Sequence, residues 1–321
     1  MSFFKKNNSF IIALISSIVF LLGYLVLGKS GLILSLEPGE TVGDISKWCE
    51  RVSPGLFREP VNALSNLGFM FLGLLMFWIL SKDKLSDDNS NQFVGLTKIS
   101  ILYAGVSIFL GPGSLLMHGT HSYWGQWIDN VSMVMYIIIP WLLNIKHLAR
   151  WSDKKFFVSY ISIVTSFSLL SWFFGTNMGI NLDLFGLSIA LWFISEILFR
   201  FWSPLLRWAS GFTGFLVAAI FGIMPSEIFN NAFEYWWIIL FWLPAILSTH
   251  PPTNIRDYNP WFFLGTASYI IAFSIWLQGY PGTKFCNPDS IIQPHGIWHL
   301  LTAFATLCFF KFLRTERLLD K

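Results

Sequence analysis

At 321 residues, 54% of them hydrophobic and only 12% charged, the chain carries about half the charge of an ordinary soluble domain. A formal charge of +3, spread over scattered basic residues, argues against a nucleic-acid surface. Repeated apolar runs of bilayer-spanning length exclude a soluble globular fold and predict an all-α, polytopic transmembrane bundle.

In chain order, Lys5 and Lys6 precede an apolar run over 10–28. The run is longer than the h-region of a usual leader and no A-x-A-like site follows it. Residues 1–30 therefore read as a retained membrane anchor rather than a cleaved signal peptide. An outer loop, 31–61, leads into a transmembrane domain, 62–314, and a short cytoplasmic tail, 315–321. Within the domain, spans are predicted at roughly 62–81, 96–118, 126–145, 156–174, 183–199, 209–224, 233–249, 260–279 and 293–313, which with the anchor makes about ten. The run at 209–224 is the shortest and is Gly-rich.

With the amino terminus inside, only Lys29, Lys47, Arg51, Arg58 and Lys284 fall outside, and the other sixteen of the 21 Lys and Arg residues fall inside. This bias fits the positive-inside rule and places both termini in the cytoplasm. An inner bacterial membrane is the default location. In this topology Ser114 and His118 lie near the outer end of the 96–118 span, and Asp129 lies near the outer end of the next. His295 and His299 fall in the first turns of the last span, which opens at Pro294, a residue suited to a helix start. The charge count used none of these five residues, yet it puts all of them at one depth.

Ser114-Leu-Leu-Met-His118 and His295-Gly-Ile-Trp-His299 both use i, i+4 spacing, so each pair shares a helix face. Polar groups are expensive inside a bilayer and usually mark function. Three imidazoles are the ligands a catalytic zinc prefers, with a fourth position left open. Asp129 is placed to act as general base, and Ser114 to donate a hydrogen bond to the attacking water or to a developing oxyanion. Taken singly, a membrane histidine is more often a packing residue and Asp129 can simply cap its helix. The set at one level is what points to a metal.

Three blocks carry a resemblance. They are Trp48-Cys49-Glu50 with Glu59-Pro60-Val61-Asn62-Ala63-Leu64-Ser65-Asn66, then Gly111-Pro112-Gly113-Ser114-Leu115-Leu116-Met117-His118 with Gln126 and Asp129, and last His295-Gly296-Ile297-Trp298-His299. They resemble the alkaline ceramidase family and, more distantly, the membrane hydrolase superfamily that includes progestin and adiponectin receptors and Per1-like GPI-remodelling proteins. The resemblance implies a seven-helix core with an intramembrane zinc on His118, His295 and His299, and Asp129 and Ser114 in catalytic roles. It implies hydrolysis of the amide of ceramide, or of a similar membrane lipid, to a fatty acid and an amine. A lipid esterase of the GPI-remodelling kind and a non-enzymatic zinc-containing receptor are the alternatives, and a proton-relay transporter is a further one.

The chain departs from the pattern in two ways. Five apolar spans separate the Asp129 helix from the His295 helix where the seven-helix plan has three, so the middle is expanded. The family's calcium position is implied to fall on Glu50 and Glu59, with Asp44 as a further oxygen donor. However, Lys47 and Arg51 flank it and repel a hard cation.

Cys49 and Cys286 both lie outside, where an oxidising exterior allows a disulfide, with two free thiols as the other reading. The resemblance implies the bridge. Cys308 reads as a packing residue, His121 as a solvated loop histidine, and Glu196 with Arg200 as an i, i+4 ion pair. Asn62, Ser65 and Asn66 either support zinc ligands or link helices.

Overall fold

The computed structural model describes residues 2–83 and 91–319, and its regular structure is almost entirely helical. Two compact units divide the chain, one running to Ser132 and including Arg256–Arg317, the other comprising Met133–Ile255 and the end of the chain from Leu318.

The first unit begins with α1 (Ser2–Lys29), whose apolar side chains point largely outward: Ile12, Val19 and Val26 are exposed. Its inner face is fixed by Tyr24, which stacks on Phe57 with ring centroids 4.9 Å apart and donates its hydroxyl proton to the Leu56 carbonyl at 2.9 Å. A short helix, α2 (Pro60–Ser65), opens with Pro at its first position and passes through Asn66 into α3 (Leu67–Lys82). Together they make one apolar stretch long enough to cross a bilayer. Helix α4 (Lys98–Thr120) starts on a capping box in which Thr97 and Ser100 satisfy each other's backbone N–H groups. It ends where His121 adopts a left-handed conformation, φ 49°, and returns its N–H to the Met117 carbonyl.

Two glycines of the Gly-Pro-Gly-Ser block let α4 lie against its neighbours. A Cβ on Gly111 would collide with Met70 and come within 2.9 Å of the Asn66 carbonyl, and one on Gly113 would meet the Ser132 hydroxyl at 2.6 Å. Helix α5 (Tyr123–Leu148) carries its first turns, with Asp129, in this unit.

In the second unit the remainder of α5 is followed by α6 (Asp153–Phe174) and α7 (Leu184–Phe201), capped by the Ser152 and Asp183 side chains. Inside it, Asn144 donates to Ser195 at 3.1 Å and to the Glu196 carboxylate at 2.9 Å. The expected partner of Glu196 was Arg200, one turn along α7. Asn144 of another helix also reaches the buried Glu196.

The chain then breaks into short pieces: α8 (Pro204–Ser210), α9 (Thr213–Ile220), α10 (Pro225–Asn230), a 3₁₀ turn over Trp236–Trp242, and α11 (Leu243–Leu247). Arg207 closes this stretch by donating to the carbonyls of Ala245 and Ile246. The spans predicted at 209–224 and 233–249 are therefore not continuous helices. Gly222 with a positive φ, and Pro225 and Pro244 at helix starts, interrupt the ladder that a lipid-crossing helix needs.

Back in the first unit, α12 (Trp261–Leu277) and α13 (Pro294–Leu313) pack side by side. Two-residue strands occur at Asn254–Ile255 and Arg317–Leu318. Among the described residues seven helices are long and apolar enough to cross a membrane, counting the amino-terminal one. Helix α12, at 17 residues, spans about 25 Å at 1.5 Å per residue. Between α5 and α13 the continuous apolar helices are thus α6, α7 and α12. The expanded middle consists of short apolar helices. The described residues form an all-α polytopic chain in which α1 is followed by six further helices long and apolar enough to cross a membrane, with α12 a shorter apolar one.

Candidate active site

The site lies within the first unit, at the end of α4 and the start of α13. Ser114 and His118 are one turn apart on α4, and His295 and His299 one turn apart on α13. All three imidazoles are buried, at 1%, 6% and 4% exposure for His118, His295 and His299. One nitrogen from each lies within 4.8 Å of the others, a set able to hold a metal ion. The Nε2 atoms of His118 and His295 are 3.1 Å apart, and Ser114 Oγ is 3.4 Å from His299 Nε2. Among the described residues no other group of three or more His, Cys, Asp or Glu side chains is gathered in this way.

The outward nitrogens determine what the inward ones can do. His299 Nδ1 lies 3.1 Å from the Asn62 carbonyl and 2.8 Å from Ser65 Oγ. The Ser65 hydroxyl proton is already directed to that same carbonyl at 2.7 Å. A carbonyl only accepts, so His299 Nδ1 carries the proton and Nε2 presents a bare lone pair. His118 Nδ1 donates to the Glu59 carboxylate in the same sense. These are the carboxylate and carbonyl contacts that orient metal-ligating histidines. Lone pairs converging in a buried space repel one another unless a cation or proton lies between them. The donor set and its tautomers therefore fit a divalent, nitrogen-preferring ion such as zinc.

Asp129 is buried on α5, and its carboxylate is hydrogen-bonded by the Ser114 hydroxyl. The five sequence-predicted residues thus form one cluster. The arrangement can bind a cation on one side and present a carboxylate with a hydroxyl on the other.

Glu50 and Glu59 do not stand free for calcium. Both oxygens of Glu50 accept backbone N–H groups at the start of α2, from Val61 at 2.7 Å and Asn62 at 2.8 Å. Burial raises the Glu50 carboxyl above the ordinary range, and those two N–H groups partly offset the rise. Glu59 serves His118, accepts from the Asn62 side chain at 3.1 Å, and lies 3.2 Å from His121. Arg51 is paired bidentately with Asp289, at 2.6 and 2.8 Å.

His121 corrects the sequence reading. It is 8% exposed, not solvated, and is held between Glu40 at 2.7 Å and Glu59 at 3.2 Å. Burial disfavours its charge, but the hydrogen bonds and charges of the two carboxylates outweigh this and raise its pKa above the ordinary value. Sequence reasoning placed a histidine after Gly119-Thr120 in water because its partners come from distant loop positions. The left-handed turn at His121 sends the ring back inward.

Cys49 and Cys286 form a disulfide, and Cys308 is a buried free thiol. The bridge clasps the 45–52 loop to the segment before α13, where the Arg51 N–H also donates to the Pro288 carbonyl. On α4, the Glu59 and Arg58 N–H groups donate to the His118 and Gly119 carbonyls. The loop before α2 is thereby sewn to both histidine-bearing helices. The roles of Glu59 and Trp48 beside the histidines were missed. The available signal was their place in the amino-terminal block.

Two comparisons with known proteins bear on this geometry. A family model described as Ceramidase matches residues 45–321, which takes in every residue of the cluster. No curated protein matches the chain.

Proposed function

The chain belongs to the ceramidase family, and from that premise we propose that it is a zinc-dependent membrane amidohydrolase that cleaves ceramide or a closely similar lipid amide. The observation that carries this reading is the convergence of three buried imidazole nitrogens beside the Asp129–Ser114 pair. His118, His295 and His299 would hold the zinc. Bound there, the ion supplies Lewis-acid polarisation of the scissile carbonyl and a lowered pKa for water.

The remaining steps belong to the protein's own groups. Asp129 takes a proton from the attacking water as the new C–O bond forms. It then returns the proton to the leaving nitrogen as the C–N bond breaks, so that a fatty acid and an amine leave. Once Asp129 carries that proton, the Ser114 hydroxyl is released from it and donates to the oxygen on which negative charge develops.

The disulfide beside the site supports an outer-face location, since such bonds persist on the oxidising side of a membrane. Counting the broken stretch from Pro204 to Leu247 as no crossing or as two leaves the parity unchanged. Both termini then remain cytoplasmic, with a bacterial inner membrane as the proposed site.

The test is metal analysis beside fatty-acid release from ceramide, for wild type and Asp129→Asn. We expect about one zinc per chain in both proteins and turnover about 10²–10⁴-fold lower in the variant. Zinc without turnover on any lipid amide or ester by the wild type would replace the enzyme with a receptor, and absence of zinc would remove the proposal.

A further inference from the structure

Two of the three imidazoles have a polar partner on the outward nitrogen and the third does not. His118 has Glu59, and His299 has the Asn62 carbonyl and Ser65. His295 Nδ1 is buried without a hydrogen-bond partner, although its Nε2 faces the cluster. A ligand without such a support is free to swing about its side-chain torsions, and outer contacts of this kind usually set metal affinity. What His295 has instead is a ring. The Trp48 indole lies over it with centroids 4.3 Å apart and planes inclined by 31°.

Several features of the chain converge on putting that indole there. Trp48 sits in a tight turn in which its own N–H donates to Ser46 Oγ at 3.1 Å and the Cys49 N–H donates to the Ser46 carbonyl at 3.0 Å. Cys49 holds a left-handed backbone, φ 77°, that a non-glycine residue rarely adopts. The turn is fastened by the Cys49–Cys286 bridge and by Arg51 on Asp289. On its other sides the indole meets Trp276 at 5.8 Å and Tyr280 at 5.6 Å. The indole N–H finds no partner in this packing, so the face of the ring, not its polar edge, makes the contact.

We infer that Trp48 is a positioning residue for the metal centre, holding the otherwise unsupported His295 by its aromatic face in the place where the other two histidines use hydrogen bonds. An imidazole that ligates a cation becomes electron-poor, and the negative face of an indole attracts such a ring more than a neutral one. The contact therefore favours the metal-loaded state over the empty one. The inference rests on the metal reading above.

The experiment measures zinc affinity of the full chain in detergent by competition with a chelator, and the visible absorption of the Co²⁺ form. The proteins are wild type, Trp48→Phe, Trp48→Met, Trp48→Leu and Trp276→Leu. Trp276 touches Trp48 and serves as the control for lost aromatic packing. We expect the folded non-aromatic variants to bind about 10- to 100-fold more weakly with an altered Co²⁺ spectrum, a loss of the size outer-shell contacts produce. Trp48→Phe, which keeps a face and lacks the N–H, should stay within about threefold of wild type, as should Trp276→Leu. Wild-type affinity in a non-aromatic variant overturns the inference while leaving the metal site intact. So does equal weakening by Phe and Met, which would assign the effect to the N–H. A wild type that binds neither ion removes the metal reading itself, and this inference with it.

Discussion

Two apolar regions of the molecule behave in opposite ways. Around the start of α13, buried polar side chains are held by partners from other segments: His299 by Asn62 and Ser65, His118 by Glu59, Asp129 by Ser114. Between Pro204 and Leu247 the side chains are mostly apolar, yet the backbone breaks into short helices and Phe233 is 98% exposed. Both stretches are apolar enough to be read as spans from the sequence. What separates them is where the constraint lies: in side-chain partnerships that fix a site, or in glycines and prolines that interrupt a helix. The first region tolerates little change, and the second should tolerate much.

The largest contrast comes from His299→Ala set against Phe233→Ala. Removing His299 leaves two imidazoles for the ion, and we expect metal content to fall from about one equivalent toward zero and turnover to reach background. Phe233→Ala should change neither. Metal analysis and fatty-acid release on the paired variants check this. Equal loss in both would mean that the middle stretch shapes the site.

Next in size is the clasp. Cys49→Ser releases a bridge whose ends are 237 residues apart in sequence. A stability loss of about 2–4 kcal/mol is expected, read as an earlier thermal or denaturant transition. Because the bridge pins the Trp48 turn, metal affinity should fall with it. A transition that moves without any change in metal affinity would separate the clasp from the site.

Gly111→Ala tests the close approach of α4 and α3, where the new methyl group meets Met70 and the Asn66 carbonyl. Overpacking of this kind costs about 1–3 kcal/mol. Gly105, with open space around it, is the control, and Gly105→Ala should be neutral or slightly stabilising. Melting curves of the two variants give the comparison directly.

Much of the site was legible in the sequence for a physical reason. The i, i+4 spacings of Ser114 with His118 and of His295 with His299 are set by helix geometry, and a charge count that ignored them put all five residues at one depth. What could not be read was which loop carboxylates meet which histidines. The sequence placed His121 in water because nothing local shows that Glu40 and Glu59 come to it, and it offered Glu59 to calcium because nothing local shows His118 at its side. The broken stretch was misread for the converse reason. Its residues are apolar enough for lipid, while Gly222, Pro225 and Pro244 act on the backbone and leave the hydropathy unchanged.

The smallest expected effect concerns pH, and it sharpens the contrast at the rim of the site. His121 faces Glu40 and Glu59, with Arg58 bound by its N–H to the Gly119 carbonyl nearby. Its folded pKa is raised above the ordinary 6.5. A raised value means that the charged ring is favoured by the fold, so its stabilising contribution is complete below pH 6.5. It is lost as pH climbs through the folded value. His121→Gln keeps hydrogen-bonding capacity and removes the titration. The melting temperature of wild type should exceed that of the variant most at pH 6 and below, and the gap should narrow steadily toward pH 9. The corresponding gap for Phe233→Ala should stay flat across the range. If the His121→Gln gap widens with pH instead, the imidazole is bound neutral between its carboxylates, and the Glu40–His121–Glu59 bridge holds the outer loop by hydrogen bonds rather than by charge.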